Sequence, residues 1–335
     1  MLKTFFRHYF ELPPKVKNIV CLGGGVGTAQ VLKGLRPKPY NLTAIVSMAD
    51  DGGSAGRLRR AFSVPPPCDL VNCLAALSDE ESVVKELFLY RFAGKRYGKD
   101  TDLGGQKLGN LIFVALQDIY KGDTGRALEE FSRIISPTGR VLPATLGDVN
   151  IWAHTKDGKK VYGEQNIDLG RYDGKSKALK SVHLDPPRPK AYKAATAALV
   201  QADVIIAGPG DLFSTVLPVL IVPQIKNQLL TSRAQKIMVI NIANKSFETV
   251  GFKVSDYLKT VEAHLGGNPF QNILVNSNQS VKIPKGLSYK YVTADRQNLS
   301  TCAAKITSGD FVAKDFPLYH DSAKIAQAIE TLINK

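Results

Sequence analysis

Short apolar runs alternate with amphipathic segments along most of the chain. Residues 17–22 are an apolar run that ends at glycine and predict a buried strand. The helical spacing of 26–35 and the apolar run 42–47 follow, which together predict two parallel strands joined by a right-handed crossover. The alternation returns near residue 192 and favours an α/β fold with a doubly wound, mostly parallel sheet. The further predicted elements are helices at 68–92 with a break near Ser78, 108–120, 124–135, 192–201, 255–265 and 322–334, and strands at 203–207, 237–241 and 272–276.

The middle of the chain departs from this pattern. Short alternating runs at 140–184 are separated by Asp157-Gly158 and Asp173-Gly174, and the first pair is a strong hairpin signal. We therefore predict a β-rich antiparallel insertion at 140–184, within a single domain that spans 1–335. Residues 48–57 are polar and rich in glycine and are predicted to form a long loop.

Composition narrows the class of protein. Apolar residues make up 44% of the 335 residues, enough for a sizeable core. The first ten residues are basic and aromatic but lack the apolar centre of a secretory signal, and no apolar run has the length of a membrane span. The cysteines Cys21, Cys68, Cys73 and Cys302 form no Cys-x-x-Cys pair and fit reduced thiols. We expect a cytoplasmic protein without a structural zinc site.

Charge indicates the kind of partner. The chain has 44 Lys and Arg against 30 Asp and Glu, a formal net charge of +14, which favours anionic partners such as nucleotides and sugar phosphates. The excess is spread along the chain and is densest at 156–193, a stretch without a nucleic-acid-binding motif. A solvated basic face accounts for most of it, so nucleic acid is not an expected partner. The oligomeric state stays open, and a homo-oligomer is compatible with the sequence.

The glycine run 23–28 is the most informative stretch. It lies between a predicted strand and a predicted helix, where glycine allows a tight turn and close approach of a ligand. A helix that begins there directs free N–H groups and the positive end of its dipole at a phosphate. The alternative is a glycine-rich turn without a ligand.

Polar clusters follow other predicted strands. Asp50 and Asp51 follow the second strand, and Gly208 to Asp211 follow a later one, so the carboxyl-end rule gathers them on one rim of the sheet. Three roles are open for the two aspartates: Mg²⁺ ligands, acceptors of a ribose or sugar hydroxyl, or caps of a turn.

Two further segments carry candidate ligand contacts. Residues 52–56 match the Gly-x-Ser-x-Gly pattern of hydrolase nucleophiles, but the predicted strand ends several residues too early for that turn. Ser54 and Arg57 are better explained as phosphate ligands, with a solvated side chain as the alternative for Arg57. The run 104–110 also opens a helix, and Asn110 in its first turns either faces the groove or makes a helix-terminal hydrogen bond.

Several motifs together resemble the CofD-like superfamily and, more closely, its YvcK-type branch, the gluconeogenesis factors. The resemblance covers roughly residues 17–280. Its motifs are 23–28, Ala49-Asp-Asp-Gly-Gly-Ser-Ala-Gly-Arg-Leu-Arg59, 65–74, 108–111, 139–145, 208–218 and 241–256. The chain departs from the family pattern at Gln106 and Tyr257, where histidine is usual, and at 244–248, where the family has Thr-Gln-Pro-Gly-Glu.

The resemblance implies a Rossmann-like nucleotide-binding fold. It implies a regulatory protein that binds a nucleotide-sugar, UDP-N-acetylglucosamine or UDP-glucose, and is linked to carbon metabolism and cell shape. The alternative is an enzyme that, like the CofD branch, transfers a phospholactyl group from a guanosine nucleotide to a deazaflavin precursor with Mg²⁺. No residue is assigned a catalytic role. The predicted ligand contacts are Gly24, Gly25, Gly27, Thr28, Asp50, Asp51, Ser54, Arg57, Asn72, Asn110, Gly208, Gly210 and Asp211, with Asp50 and Asp51 as the Mg²⁺ ligands.

Overall fold

The computed structural model describes residues 16–173, 178–284, 286–299 and 303–334. The strands are β1 (Lys17–Gly23), β2 (Tyr40–Val46), β3 (Arg140–Pro143), β4 (Asn150–Thr155), β5 (Lys160–Tyr162), β6 (Leu179–Asp185), β7 (Val204–Ala207), β8 (Gln235–Val239), β9 (Ala243–Asn244), β10 (Asn272–Asn276), β11 (Lys290–Tyr291) and β12 (Lys305–Gly309). The α-helices are α1 (Gly25–Leu35), α2 (Gly53–Phe62), α3 (Cys68–Leu77), α4 (Val83–Leu89), α5 (Leu108–Ile119), α6 (Thr124–Ile135), α7 (Glu164–Asp168), α8 (Lys193–Val200), α9 (Leu217–Leu220), α10 (Pro223–Thr231), α11 (Val254–Leu265), α12 (Arg296–Leu299) and α13 (Ser322–Ile333). A π-helical turn spans Leu212–Val216.

The central sheet has seven strands in the order β12-β10-β8-β7-β1-β2-β3. Every adjacent pair is parallel. The chain adds β2 and β3 on one side of β1 and then β7, β8, β10 and β12 on the other. The order therefore reverses between β1 and β7, which is where open α/β sheets bind ligands. The predicted doubly wound, mostly parallel sheet is confirmed.

Side chains alternate between the two faces of this sheet. Ile19 and Cys21 of β1 belong to a core layer with α1, α3 and α13. Val20 and Leu22 belong to the opposite layer, with the π-helical turn, α9 and α11. Burial of one such aliphatic side chain contributes roughly 1.5–3 kcal/mol to folding. The two layers hold the carboxyl ends of the strands in register, and these ends carry the site.

The middle of the chain forms a three-stranded antiparallel sheet in the order β5-β4-β6, and β9 and β11 form a separate antiparallel pair. The strands β4 and β5 flank the Asp157-Gly158 turn and pair antiparallel, as that dipeptide predicts. Val141 and Leu142, however, pair parallel with β2. The antiparallel sheet thus begins at Asn150 rather than at 140. A short buried run has the same apolar pattern in a parallel and in an antiparallel sheet, so the sequence did not distinguish the two. That the chain forms a single domain over 1–335 stays a prediction.

The predicted loop at 48–57 is wrong in its second half. Helix α2 begins at Gly53, which has φ +49°, and Ser54 to Leu58 are buried. The helix lacks a hydrophobic pattern because some of its buried residues are polar. The buried Ser54 and Arg57 form hydrogen bonds with residues that are distant in the chain. The predicted break near Ser78 is confirmed and separates α3 from α4.

The cysteines and the search for a membrane-spanning helix complete the comparison with the sequence. Cys21, Cys68 and Cys73 are free buried thiols. Cys302 and the first ten residues lie outside the described residues. Among the residues that the structure describes, no helix combines the length and the apolarity that crossing a bilayer requires.

Candidate functional site

The turns that follow β1, β7 and β8 are tied to one another. The Thr28 hydroxyl accepts a hydrogen bond from the Gly24 N–H at 2.9 Å and donates to the Pro209 carbonyl at 3.5 Å. The Gly210 N–H donates to Oδ1 of Asn241 at 3.0 Å. The three turns therefore form one continuous rim at the switch point of the sheet.

A cavity of about 230 Å³ opens beside this rim. It is bounded by the beginnings of α1, α2 and α3, by α7 from the antiparallel region, and by the π-helical turn. Its lining residues are Gly25, Val26, Ser47, Asp50, Gly52, Gly53, Cys68, Asp69, Asn72, Arg91, Arg96, Tyr97, Lys107, Glu164, Gln165, Asp168, Ser214 and Thr215. We call it the switch-point cavity.

Two helix N-termini contribute backbone to the switch-point cavity. Helix α1 begins at Gly25 and α2 at Gly53, and both residues line the cavity. Neither helix has an acidic residue in its first turn or a side-chain cap. The Gly25 N–H donates to the Asp69 carboxylate and the Gly52 N–H to the Asp50 carboxylate. The positive ends of both helix dipoles face the same space, which favours negative charge there.

Three cationic side chains line the same cavity. Arg91 donates to Oγ of Ser54 at 3.2 Å and to the Gly105 carbonyl at 2.6 Å. Lys107 donates to Oδ1 of Asn72, and burial lowers the pKa of its ammonium. Arg96 lies across Gly53, where a Cβ would stand 2.6 Å from its Nε. These side chains supply charge for a phosphate.

Carboxylates also line the cavity and form its acidic wall. Burial raises the pKa of Asp50 to about 6, and its carboxylate accepts the Gly52 N–H at 2.9 Å. Burial, reinforced by the charge of Asp50, raises the pKa of Asp69 to about 7. Burial and the charges of Asp50 and Asp168 raise the pKa of Glu164 well above its usual range. Such a wall suits hydroxyl donors or a hard divalent cation.

A partly buried ion cluster lies behind this wall. The Lys245 ammonium donates to Asp168 and, at 2.7 Å, to Asp211, and stands 3.4 Å from Glu248. Glu248 also accepts from Oγ of Ser214 at 2.7 Å, and burial raises its pKa to about 7. One oxygen from each carboxylate lies within 4.8 Å of the others. The cluster joins α7 to the switch-point turn.

The structure brings most of the predicted site residues together. Gly25, Asp50 and Asn72 line the cavity. Ser54 and Asn110 are buried behind it, 3.5 Å apart, and Oδ1 of Asn110 has no partner within the described chain. The remaining predicted glycines and Thr28 build the rim itself: Gly24, Gly27, Thr28, Gly208 and Gly210.

Three other predicted contacts are engaged by partners outside the cavity lining and the rim. Arg57 is 1% exposed, and its guanidinium donates to the carbonyls of Lys99, Asp102 and Gly104, so it fixes a loop instead of a phosphate. Asp51 accepts the Gln165 N–H at 2.7 Å, and Asp211 pairs with Lys245. The structure therefore places Asp69, rather than Asp51, in the cavity with Asp50.

Sequence reasoning missed several cavity residues. Asp69 lies in the 65–74 motif and Lys107 in the 104–110 run, so both had a signal. Arg91, Arg96 and Glu164 belong to no motif that indicates ligand binding, and tertiary structure alone brings them to the cavity.

A larger groove of about 1180 Å³ lies along another part of α2. Asp51, Arg59, Phe62 and Leu146 are among its lining residues. Its guanidiniums already have carboxylate partners, since Arg59 pairs with Asp148 and Arg60 with Asp100. The switch-point cavity is the better candidate because two helix N-termini meet there.

Comparison with known proteins identifies the family to which this chain belongs. The sequence model of the family described as 2-phospho-L-lactate transferase CofD matches residues 19–312, and the chain belongs to that family.

Within the family, the chain is similar to the gluconeogenesis factors. It is 36% identical to the gluconeogenesis factor of Bacillus subtilis over 327 residues, which are 95% of this chain and 98% of the relative. It is 34% identical to the gluconeogenesis factor of Listeria innocua over 328 residues, 96% of this chain and 97% of the relative. A crystal structure of a Bacillus halodurans protein superposes with a TM-score of 0.85 at 35% identity, covering 94% of this chain and 99% of that one. The resemblance stated from the motifs is thereby confirmed.

Proposed function

We propose that the protein is a regulator of the gluconeogenesis-factor type that binds the diphosphate of a UDP-sugar in the switch-point cavity. The observation that carries this proposal is the convergence of the N-termini of α1 and α2 on one space with Arg91, Arg96 and Lys107. Backbone N–H groups, dipoles and fixed cations act together on a diphosphate. A link to cell shape and a cytoplasmic location belong to the same proposal.

The charged part and the hydroxyl-bearing part of the ligand contact different residues of the cavity. The diphosphate lies at the glycine turns and cations. The sugar lies toward Glu164 of α7, because carboxylates accept hydrogen bonds from hydroxyl groups.

Asp50 and Asp69 also fit Mg²⁺. They are hard oxygen donors whose pKa values are raised by burial, so a cation relieves a real electrostatic cost. When bound, Mg²⁺ neutralises phosphate charge. The chain itself holds the carboxylates in place, through the Gly52 N–H on Asp50 and the Gly25 N–H on Asp69.

Thermal unfolding with a panel of nucleotides tests this function. UDP-N-acetylglucosamine and UDP-glucose with Mg²⁺ are expected to raise Tm, since a ligand at a hundred times its Kd adds about 2.7 kcal/mol to the free energy of unfolding. N-acetylglucosamine without a nucleotide is the control and should leave Tm unchanged. No shift with any nucleotide would remove the proposal.

The second candidate is a transferase, and the match to the CofD family model favours it. In that case the switch-point cavity holds a guanosine nucleotide that carries a phospholactyl group, and a deazaflavin precursor is the acceptor. Incubation with both substrates and Mg²⁺ tests this candidate, with product expected by mass spectrometry. Absence of product while UDP-sugars raise Tm would decide for the regulator.

A further inference from the structure

Helix α7 reaches the switch-point cavity from outside the central sheet. It follows β5 of the antiparallel sheet and lines the cavity with Glu164, Gln165 and Asp168. It comprises Glu164–Asp168, so little of its own hydrogen bonding holds it. Its position must therefore come from contacts with the rest of the molecule.

The buried Ile167 packs α7 into the core, and two side-chain hydrogen bonds fasten its two ends to the rim. At its beginning, the Asp51 carboxylate accepts the Gln165 N–H at 2.7 Å. At its end, Asp168 receives the Lys245 ammonium. Gly163, with φ +90°, precedes the helix, and a Cβ there would stand 2.7 Å from Oδ2 of Asp51, so the first contact depends on a glycine.

Lys245 makes the second contact from outside the cavity. It follows β9, is 8% exposed and does not line the cavity. Lys245 also forms ion pairs with Asp211 and Glu248. Glu248 accepts two further hydrogen bonds, from Oγ of Ser214 and from the Phe213 N–H. Loss of the ammonium would leave like charges within 4.8 Å of one another. Among the described residues, Lys245 is the hydrogen-bond donor that reaches the side chains of Asp168 and Asp211, so its loss would free both carboxylates and release the α7 end from the cluster.

We propose that Lys245 is a positioning residue of the ligand site. It holds Asp168, and with it α7, against the switch-point turn, and so sets where Glu164 meets the sugar hydroxyls of the ligand. This inference rests on the proposed function for the identity of the ligand. The position of α7 itself is testable without any ligand.

Hydrogen exchange in the ligand-free protein is the first test. Lys245→Met removes the charge but keeps the stem, and Asp168→Ala removes the acceptor of the same contact while leaving Lys245 with its other partners. Both are expected to speed exchange in 163–170 by at least about tenfold, the equivalent of one lost charged hydrogen bond. Lys324→Met is the matched control, since Lys324 forms a 2.7 Å ion pair with Asp310 and lines no part of the cavity.

Calorimetric titration with UDP-N-acetylglucosamine and Mg²⁺ is the second test. Both variants are expected to raise Kd by about tenfold or more for the same reason, while Lys324→Met leaves Kd unchanged. A purely structural role would lower Tm and speed exchange throughout the chain, and that result overturns the proposal. Unchanged exchange at 163–170 in Asp168→Ala overturns it as well. If the wild type binds no UDP-sugar, the proposed function fails, and the exchange comparison alone decides the role of Lys245.

Discussion

Gly27 of α1 packs directly on Pro209 of the turn after β7. A Cβ on Gly27 would stand 2.4 Å from the Pro209 carbonyl oxygen. The φ of Gly27 is not in the left-handed region, so the requirement for glycine here comes from close approach of two backbones. This contact brings the N-terminus of α1 to the switch point.

The Gly27–Pro209 contact yields the first prediction. Gly27→Ala should lower the free energy of unfolding by about 1–3 kcal/mol, the usual cost of overpacking, and should weaken UDP-sugar binding, because α1 must move away from the turn. Chemical denaturation and calorimetry measure the two effects.

Gly125→Ala is the matched control for that variant. Gly125 also lies in the first turn of a helix, but a Cβ there makes ordinary contacts at 3.5 and 3.6 Å. It should be neutral or slightly stabilising. If Gly27→Ala were as well tolerated as this control, the account of the rim would be wrong.

Asp69 should make stability depend on pH. Burial and Asp50 raise the pKa of Asp69 to about 7 in the folded protein, against about 3.9 for an unfolded aspartate. Between these values the folded state binds more protons, so this group's contribution lowers stability as pH rises from about 4 to 7. The Tm of Asp69→Asn should therefore exceed that of the wild type by an amount that grows over this interval and then levels off.

Mg²⁺ should reverse the advantage of Asp69→Asn. Added at pH 8, it should raise the Tm of the wild type and have a smaller effect on the variant, because a carboxylate ligand has been removed. A Tm difference that does not change with pH would contradict the burial of a charged Asp69.

Arg96 should act on the phosphate. Arg96→Met keeps the stem that crosses Gly53 and removes the guanidinium, so Kd for a UDP-sugar should rise by about 10- to 100-fold with little change in Tm. Arg133→Met, on the exposed surface of α6, is the control. Equal Kd values for the two variants would place the diphosphate away from α2.

The sequence predicted the elements whose burial is regular. Strand β1 and helix α1 were predicted, because an apolar run followed by glycines is typical of a strand-to-helix turn in a parallel sheet. Helix α2 escaped prediction, since Arg57 owes its burial to three carbonyl oxygens of the loop 99–104. Val141 and Leu142 were assigned to the wrong sheet, because pairing partners are not visible in a short run.

The candidate site was predictable where backbone geometry creates it. Gly25 and Asp50 follow strands directly, and the rule on carboxyl ends of strands brings them together. Arg96 and Glu164 could not be predicted, because each reaches the cavity from an irregular or inserted segment. Asp50 and Asp51 were predicted to contact the same ligand because they are adjacent in the sequence. In the turn their side chains point to different partners, and Asp51 accepts a hydrogen bond from the Gln165 N–H.

A crystal structure with UDP-N-acetylglucosamine and Mg²⁺ would show where the ligand binds. The diphosphate should lie between the first turns of α1 and α2, within hydrogen-bonding distance of the N–H groups near Gly25 and Gly53 and of the Arg96 guanidinium. A nucleotide bound instead in the groove lined by Phe62 and Leu146, with the switch-point cavity unchanged, would contradict this prediction.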